Sequence, residues 1–208
     1  MYDQSSTIKE FLDAAAAKQP APGGGSVTAL VGALAASMGE MVVNYSIGKK
    51  GLEAHQDDLQ AALGELHRAR QLLVELMAED QKAYEALTAA KKQHKDSPDR
   101  DARIRPALLA SISTPQSIAA AAAAVLGLCD RLVDKVNFYL LSDLAVSADL
   151  AMATVRCAVY NVRVNLPDVP DAAERQSLEA SVGQVLSHAA MWIQSVSPRI
   201  WARHRLGK

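Results

Sequence analysis

Pro20-Ala-Pro-Gly-Gly-Gly-Ser26 runs directly into Val27-Thr-Ala-Leu-Val-Gly-Ala-Leu-Ala-Ala36. Two prolines stiffen the approach, three glycines follow, and a serine opens a long run of small apolar residues. Ser26 is a candidate N-cap, and the unpaired N–H groups of a first helical turn carry partial positive charge. Such a turn is either a tight loop between two helices or a cradle for a polar substrate edge. It is not a nucleotide-binding loop. No Gly-Lys-Ser/Thr follows, and no strand precedes it.

The rest of the chain reads as helices. At 208 residues, half of them hydrophobic and few aromatic, it suits one domain over 1–208, cored by closely packed alanine-rich helices. No segment alternates apolar and polar residues for long enough to form a strand. The expected class is all-α, a bundle of long antiparallel helices. Thr7-x-x-Glu10 reads as a capping box for a first helix ending near Lys18. A second helix is expected over 26–47 with Gly48 as its stop, and a third over 52–92. Ser97-Pro98 reads as the start of another helix, which Pro106 kinks or breaks. Thr114-Pro115 then begins a helix to Val136. Ser142 caps one over 143–166, and Asp171-x-x-Glu174 opens a last helix, to about Val196, closed by Ser197-Pro198. The basic tail with Arg199, Arg203, Arg205 and Lys208 reads as a solvated end.

Net charge of −1 argues against a nucleic-acid partner. The 119–128 run is too short to span a bilayer, and no basic-then-apolar leader opens the chain, so no membrane partner is expected. Cys129 and Cys157 have no metal or redox spacing, which suits a reducing cytoplasm. The five histidines are scattered without an HxxxH or HExxH pair, so no metal site is expected. No Gly-x-Ser-x-Gly or nucleophilic cysteine context occurs.

The informative residues are hydrophilic ones on apolar helix faces. At 100° per residue, Asp143, Ser147, Thr154, Asn161 and Asn165 fall within roughly 40° of one another. Asp149, Arg156 and Arg163 lie nearly opposite, on the solvated or interface side. The first stripe therefore lines a polar cleft or forms a self-satisfied network. Ser26, Ser37 and Asn44 share a face of the second helix beside Glu40. Gly32 and Gly39 share another face and permit a close crossing. Asp80 sits in the apolar stripe of the third helix, between Met77 and Tyr84. Desolvation there raises a carboxyl pKa, which suits a general acid or base, unless a nearby Lys or Arg pairs with it. Lys49 and Lys50 either stabilise a helix C-terminus or grip an anion.

These residues together resemble the cyclodeaminase/cyclohydrolase family of folate one-carbon enzymes. The resemblance rests on Phe11-Leu12, Pro20-x-Pro-Gly-Gly-Gly-Ser26, Asn44-x-x-Ile47-Gly-Lys-Lys50, Asp80-x-x-Ala83-Tyr84, Ser142-Asp143 and Asn161-Val-x-Val-Asn165. It departs from the family pattern at Glu40, Gly51-Leu52, Ser111 to Gln116, and Val136-Asn137. The resemblance implies an all-helical subunit, a homodimer and a tetrahydrofolate substrate, with no cofactor beyond it. It implies 5,10-methenyltetrahydrofolate hydrolysis to the 10-formyl form. The alternatives are ammonia release from 5-formiminotetrahydrofolate, or a non-catalytic folate-binding or scaffold dimer. Asp80 or Asp143 is the expected acid/base. Tyr84, Ser142, Asn44, Asn161 and Asn165 are expected to contact or orient the substrate. Pro22, Gly23, Gly24, Gly25 and Ser26 would hold a polar edge of it, and Lys49 or Lys50 its glutamyl tail.

Overall fold

The computed structural model describes residues 3, 5–93 and 100–206. The described residues form six α-helices and no strand: α1 (Ile8–Ala16), α2 (Gly24–Asn44), α3 (Gln56–Lys92), α4 (Arg100–Leu132), α5 (Leu141–Arg163) and α6 (Ala172–Leu206). The Thr7–Glu10 capping box forms in full, each side chain reaching the other's backbone N–H. Gly48 and Gly51 adopt φ of 71° and 90° and fold the chain between α2 and α3, a conformation that costs a glycine nothing sterically.

α2 lies at the centre because its small residues let neighbours approach. A Cβ on Gly32 would meet Leu73 of α3 and Thr154 of α5, both at 3.0 Å. One on Gly39 would meet Leu66 at 3.0 Å and the Ser147 hydroxyl at 3.3 Å. The expected close crossing is therefore real and two-sided. Pairings along the elements give their directions. Ser26 at the start of α2 meets Met77 and Asp80 late in α3, and Asn161 late in α5 meets Thr28 early in α2. Ser111 early in α4 meets Ala83 late in α3, and Arg163 at the end of α5 meets Glu179 early in α6. Consecutive long helices thus run antiparallel. The largest apolar cluster joins Ala35, Val42 and Val43 of α2 to Leu59 and Leu66 of α3, Leu126 of α4, Leu144 of α5 and Val196 of α6.

Several expected helix ends fall elsewhere. α4 passes through both Pro106 and Pro115, and α6 passes through Pro198 to Leu206. A proline removes one ladder bond and crowds the carbonyl four residues back, yet packing on neighbours holds each helix together. The expected start at Ser97-Pro98 lies outside the described residues. Ser26 and Ser142 are not caps. The N-caps are Gly23 and Leu140, and neither makes a side-chain cap bond. The basic tail is not merely solvated. Arg199 bonds Asp130, and Arg203 donates to the Val133 and Val136 carbonyls in the segment that follows α4.

By length and composition, Gly24–Asn44, Arg100–Leu132 and Phe138–Asp168 are each apolar enough to cross a membrane. The 119–128 run is only part of the 33-residue α4, so its shortness carries no argument. Helices packed on several sides must be apolar on several sides, and α2, α4 and α5 are packed that way here.

Candidate functional site

The glycine turn and Asp80 meet. Asp80 projects from α3 against the first turn of α2, where Ser26 Oγ donates to Asp80 Oδ2 at 3.2 Å and to the Met77 carbonyl at 3.1 Å. Gly25 leaves the space that the carboxylate occupies: a Cβ there would lie 1.9 Å from Asp80 Oδ1. Burial pushes the Asp80 carboxyl above its usual range, with hydrogen bonds from the Ser26 hydroxyl and backbone pulling the other way. This is the direction expected of a carboxyl in an apolar stripe. Among the described residues no Lys or Arg forms an ion pair with it.

Asp80 opens onto a cavity of about 330 Å³. Gly23, Gly24 and Gly25 form one edge, Tyr84 and Leu87 of α3 one wall, and Asn161 of α5 with Asn165 just beyond its end the other. Pro22 and Ser26 are buried behind this lining. Thr28 Oγ1 donates to the Gly24 carbonyl at 2.6 Å and accepts from Asn161 Nδ2 at 3.4 Å, which ties the glycine edge to α5.

Asn165 is held by a defect in α4. Pro115 has no N–H, so the Ser111 carbonyl loses its helical partner. Asn165 Nδ2 donates to that carbonyl at 3.1 Å and to the Asn161 carbonyl at 3.0 Å. Both amide hydrogens face backbone oxygens, which leaves its carbonyl oxygen as the group available to a ligand.

The remaining expected site residues lie elsewhere. Asn44, Lys49, Lys50, Ser142 and Asp143 cluster where α2 ends and α5 begins. The 21-residue α2 separates this pole from the Asp80 pole by about 30 Å. Within one subunit there is no single cleft that collects them. The α5 stripe explains why: Ser147 donates to the Ala35 carbonyl and Thr154 to the Leu150 carbonyl, so its middle is satisfied internally and only its ends are available. On α2, Ser37 donates to the Ala33 carbonyl, and Glu40 pairs with Arg70 at 2.6 Å. Lys49 Nζ lies 5.4 Å over the Tyr139 ring.

Cys129 is buried against Ser147 and its thiol is pushed up to about 11, which leaves it inert. Among the described residues no three His, Cys, Asp or Glu side chains converge as metal ligands would.

A family model described as formiminotransferase-cyclodeaminase matches residues 7–184. The chain belongs to that family. The methenyltetrahydrofolate cyclohydrolase of Methylorubrum extorquens is 33% identical over 171 residues, 80% of this chain and 82% of that protein. The formimidoyltransferase-cyclodeaminase of Sus scrofa is 28% identical over 200 residues, 94% of this chain but 37% of the relative's own length. A crystal structure of formiminotetrahydrofolate cyclodeaminase from Thermotoga maritima matches with a TM-score of 0.88 at 27% identity, covering 95% of this chain and 96% of that one. All three names are those of folate one-carbon enzymes or of an enzyme containing a cyclodeaminase.

The family resemblance drawn from the sequence therefore stands, as does the all-helical fold. Sequence reasoning overlooked Gln81, Thr88, Lys91 and Ser111 in the cavity wall of this cyclodeaminase-family chain. Thr88 and Lys91 extend the helical stripe of Asp80, Tyr84 and Leu87. Continuing that stripe by two turns would have found them.

Proposed function

We propose that the protein hydrolyses 5,10-methenyltetrahydrofolate to 10-formyltetrahydrofolate, with Asp80 as the proton-transferring group. The observation that carries this reading is a carboxylate of raised pKa held by Ser26 and Gly25 at the edge of a cavity. The substrate is an amidinium cation bridging N5 and N10. Asp80 takes a proton from water as the water oxygen bonds to the bridging carbon. The tetrahedral adduct collapses, the bond from carbon to N5 breaks, and Asp80 returns its proton to N5. The adduct's hydroxyl proton leaves to solvent as the formyl carbonyl forms. A negative Asp80 also attracts the amidinium before reaction. Asn161 and the Asn165 carbonyl oxygen orient the pterin, and the first-turn N–H groups of α2 hold its polar edge.

The cyclohydrolase reading is supported by the relative of that name, which this chain matches over most of both lengths. Ammonia release from 5-formiminotetrahydrofolate is the second reading, favoured by the Thermotoga fold match. Loss of the near-ultraviolet absorbance of 5,10-methenyltetrahydrofolate, compared between the protein and Asp80→Asn, tests the first. Ammonia released from the formimino substrate tests the second. A protein that binds folate and accelerates neither reaction is a binding or scaffold module.

We further propose a homodimer of 1–208 units in a reducing cytoplasm, where both cysteines stay free as they are here. Val27, Val31, Leu34, Met38 and Met41 of α2 and its C-cap Tyr45 repeat at four- and three-residue steps on an exposed to half-buried face. Val146, Ala153 and Tyr160 of α5, and Val164 just after it, continue it, with Leu34 50% and Tyr160 67% exposed. Val164 also lines the cavity. A second copy is the occupant, because the two sets of expected site residues stand at opposite ends of this one face. A two-fold axis in the interface, perpendicular to the helices, would set each Asp80 pole against the other copy's Asp143 pole. Asn44, Lys49, Lys50, Ser142 and Asp143 would then serve the neighbouring subunit's cavity.

A further inference from the structure

The Asp80 cavity is charged at both ends. It follows one face of α3 through Tyr84, Leu87 and Thr88 to Lys91, about 16 Å along the helix from Asp80. Asp80 is the one carboxylate and Lys91 the one cation among the described residues that line it. The wall between them is largely apolar, and Leu87 and Val164 are both part of it. Lys91 is not unpartnered: its Nζ lies 2.5 Å from Asp168 Oδ2. Asp168 sits in the short turn Leu166–Asp168 that follows α5, three residues after Asn165. Both members of the pair are nearly half exposed, so the pair contributes little and its exchange for another carboxylate is easy.

We propose that Lys91 holds a carboxylate of the substrate's glutamyl tail at the far end of the Asp80 cavity, and that Asp168 is the resident counter-ion the tail displaces. This rests on the folate reading of the site. The substrate is cationic at its reacting carbon, apolar through the aminobenzoyl ring and anionic at the glutamate. The cavity presents the complementary order: carboxylate, apolar wall, ammonium. Lysine's flexible stem lets one ammonium exchange Asp168 for a substrate carboxylate with a small movement. Within the same subunit Lys49 and Lys50, the cations singled out from the sequence, lie at the other pole and line no part of this cavity; reaching it from a neighbouring copy, they are the rival cations that the double variant below tests. Asp168 has a second effect. It competes with the tail, so the affinity gained from Lys91 grows with the number of glutamates that compete against it.

The test compares the intact protein with Lys91→Gln, Lys91→Arg, Asp168→Asn and the double variant Lys49→Gln/Lys50→Gln. Two readouts are used. Turnover is measured on 5,10-methenyltetrahydrofolate and on the corresponding methenyltetrahydropteroate, which has no glutamate. Equilibrium binding of 5-formyltetrahydrofolate is measured by calorimetry. Lys91→Gln should raise KM for the glutamylated substrate about tenfold, the loss of one charge-assisted hydrogen bond. It should leave kcat within about twofold and the pteroate parameters unchanged. Lys91→Arg should restore most of the affinity, and Asp168→Asn should tighten binding of 5-formyltetrahydrofolate. Equal losses on both substrates, no loss on either, or a glutamate-selective loss confined to the Lys49/Lys50 variant would each overturn the assignment. If the protein binds 5-formyltetrahydrofolate but turns over nothing, the enzymatic reading fails while the calorimetry still decides on Lys91. If it binds no folate, both readings fall.

Discussion

Gly25 and Asp80 fit together with no room for a methyl group: a Cβ on Gly25 would stand 1.9 Å from Asp80 Oδ1. The carboxylate can lie against the start of α2 only because residue 25 has no side chain. Gly25→Ala should therefore push Asp80 out of its place beside Ser26. We expect kcat/KM on 5,10-methenyltetrahydrofolate to fall at least about 100-fold, the usual worth of a positioned acid/base. Helix content by circular dichroism should be unchanged, since alanine is a good helix former. Retention of full activity would show that Asp80 does not work from this position.

Asp80→Asn should reduce kcat by about 100- to 10,000-fold while raising stability. Burial raises the folded-state pKa of Asp80 above 3.8, so ionised Asp80 destabilises the fold. The asparagine variant escapes that cost. Its advantage in thermal midpoint should be full above the raised pKa of Asp80. It should fade as pH falls and disappear below 3.8, where the wild-type carboxyl is protonated folded or unfolded. The wild-type profile of kcat/KM should rise with pH through that raised pKa, because Asp80 accepts a proton only when ionised. Thermal melts at several pH values and a pH–rate profile check both signs.

Asn165 and Pro115 should be energetically coupled. Asn165 Nδ2 supplies the bond that the Ser111 carbonyl lacks because residue 115 has no N–H. Asn165→Ala alone should cost about 1–3 kcal/mol, from a carbonyl left without a partner. In a Pro115→Ala background the alanine N–H can bond Ser111, and the same substitution should cost less. A double-mutant cycle by urea unfolding measures the difference. Additive costs would mean that Asn165 does not serve that carbonyl.

Leu34 lies half exposed in the middle of the α2 stripe. Leu34→Glu should convert a dimer to monomers in sedimentation velocity and abolish turnover together with association. The antiparallel pairing makes a sharper prediction. Asp80→Asn and Asp143→Asn proteins, each inactive, should recover up to about a quarter of wild-type activity when mixed and allowed to exchange. Half the dimers are then mixed, and each mixed dimer has one intact site of two. No recovery despite proven exchange would mean that Asp143 of one copy does not serve Asp80 of another.

The sequence by itself determined the local chemistry of this protein. The absence of two-residue periodicity and the run of small residues after Gly25 require closely packed helices. The Thr7–Glu10 box and the two α2 glycines were legible because each depends on neighbours a few residues away or on one helix face. The buried setting of Asp80 was legible for the same reason, from its place in an apolar stripe. Which polar residues share a cavity was decided only by tertiary structure. A helix stripe gives direction around an axis, not distance along it, so Asn161 and Asp143 look alike on a wheel and lie at opposite ends of α5. Pro115 reads as a helix start in the sequence, because the bond that carries the helix through it comes from Asn165, 50 positions later. Lys91 joins the cavity only because α5 and its following turn fold back beside α3. Long-range packing chose these partners, and no window of local sequence contains them.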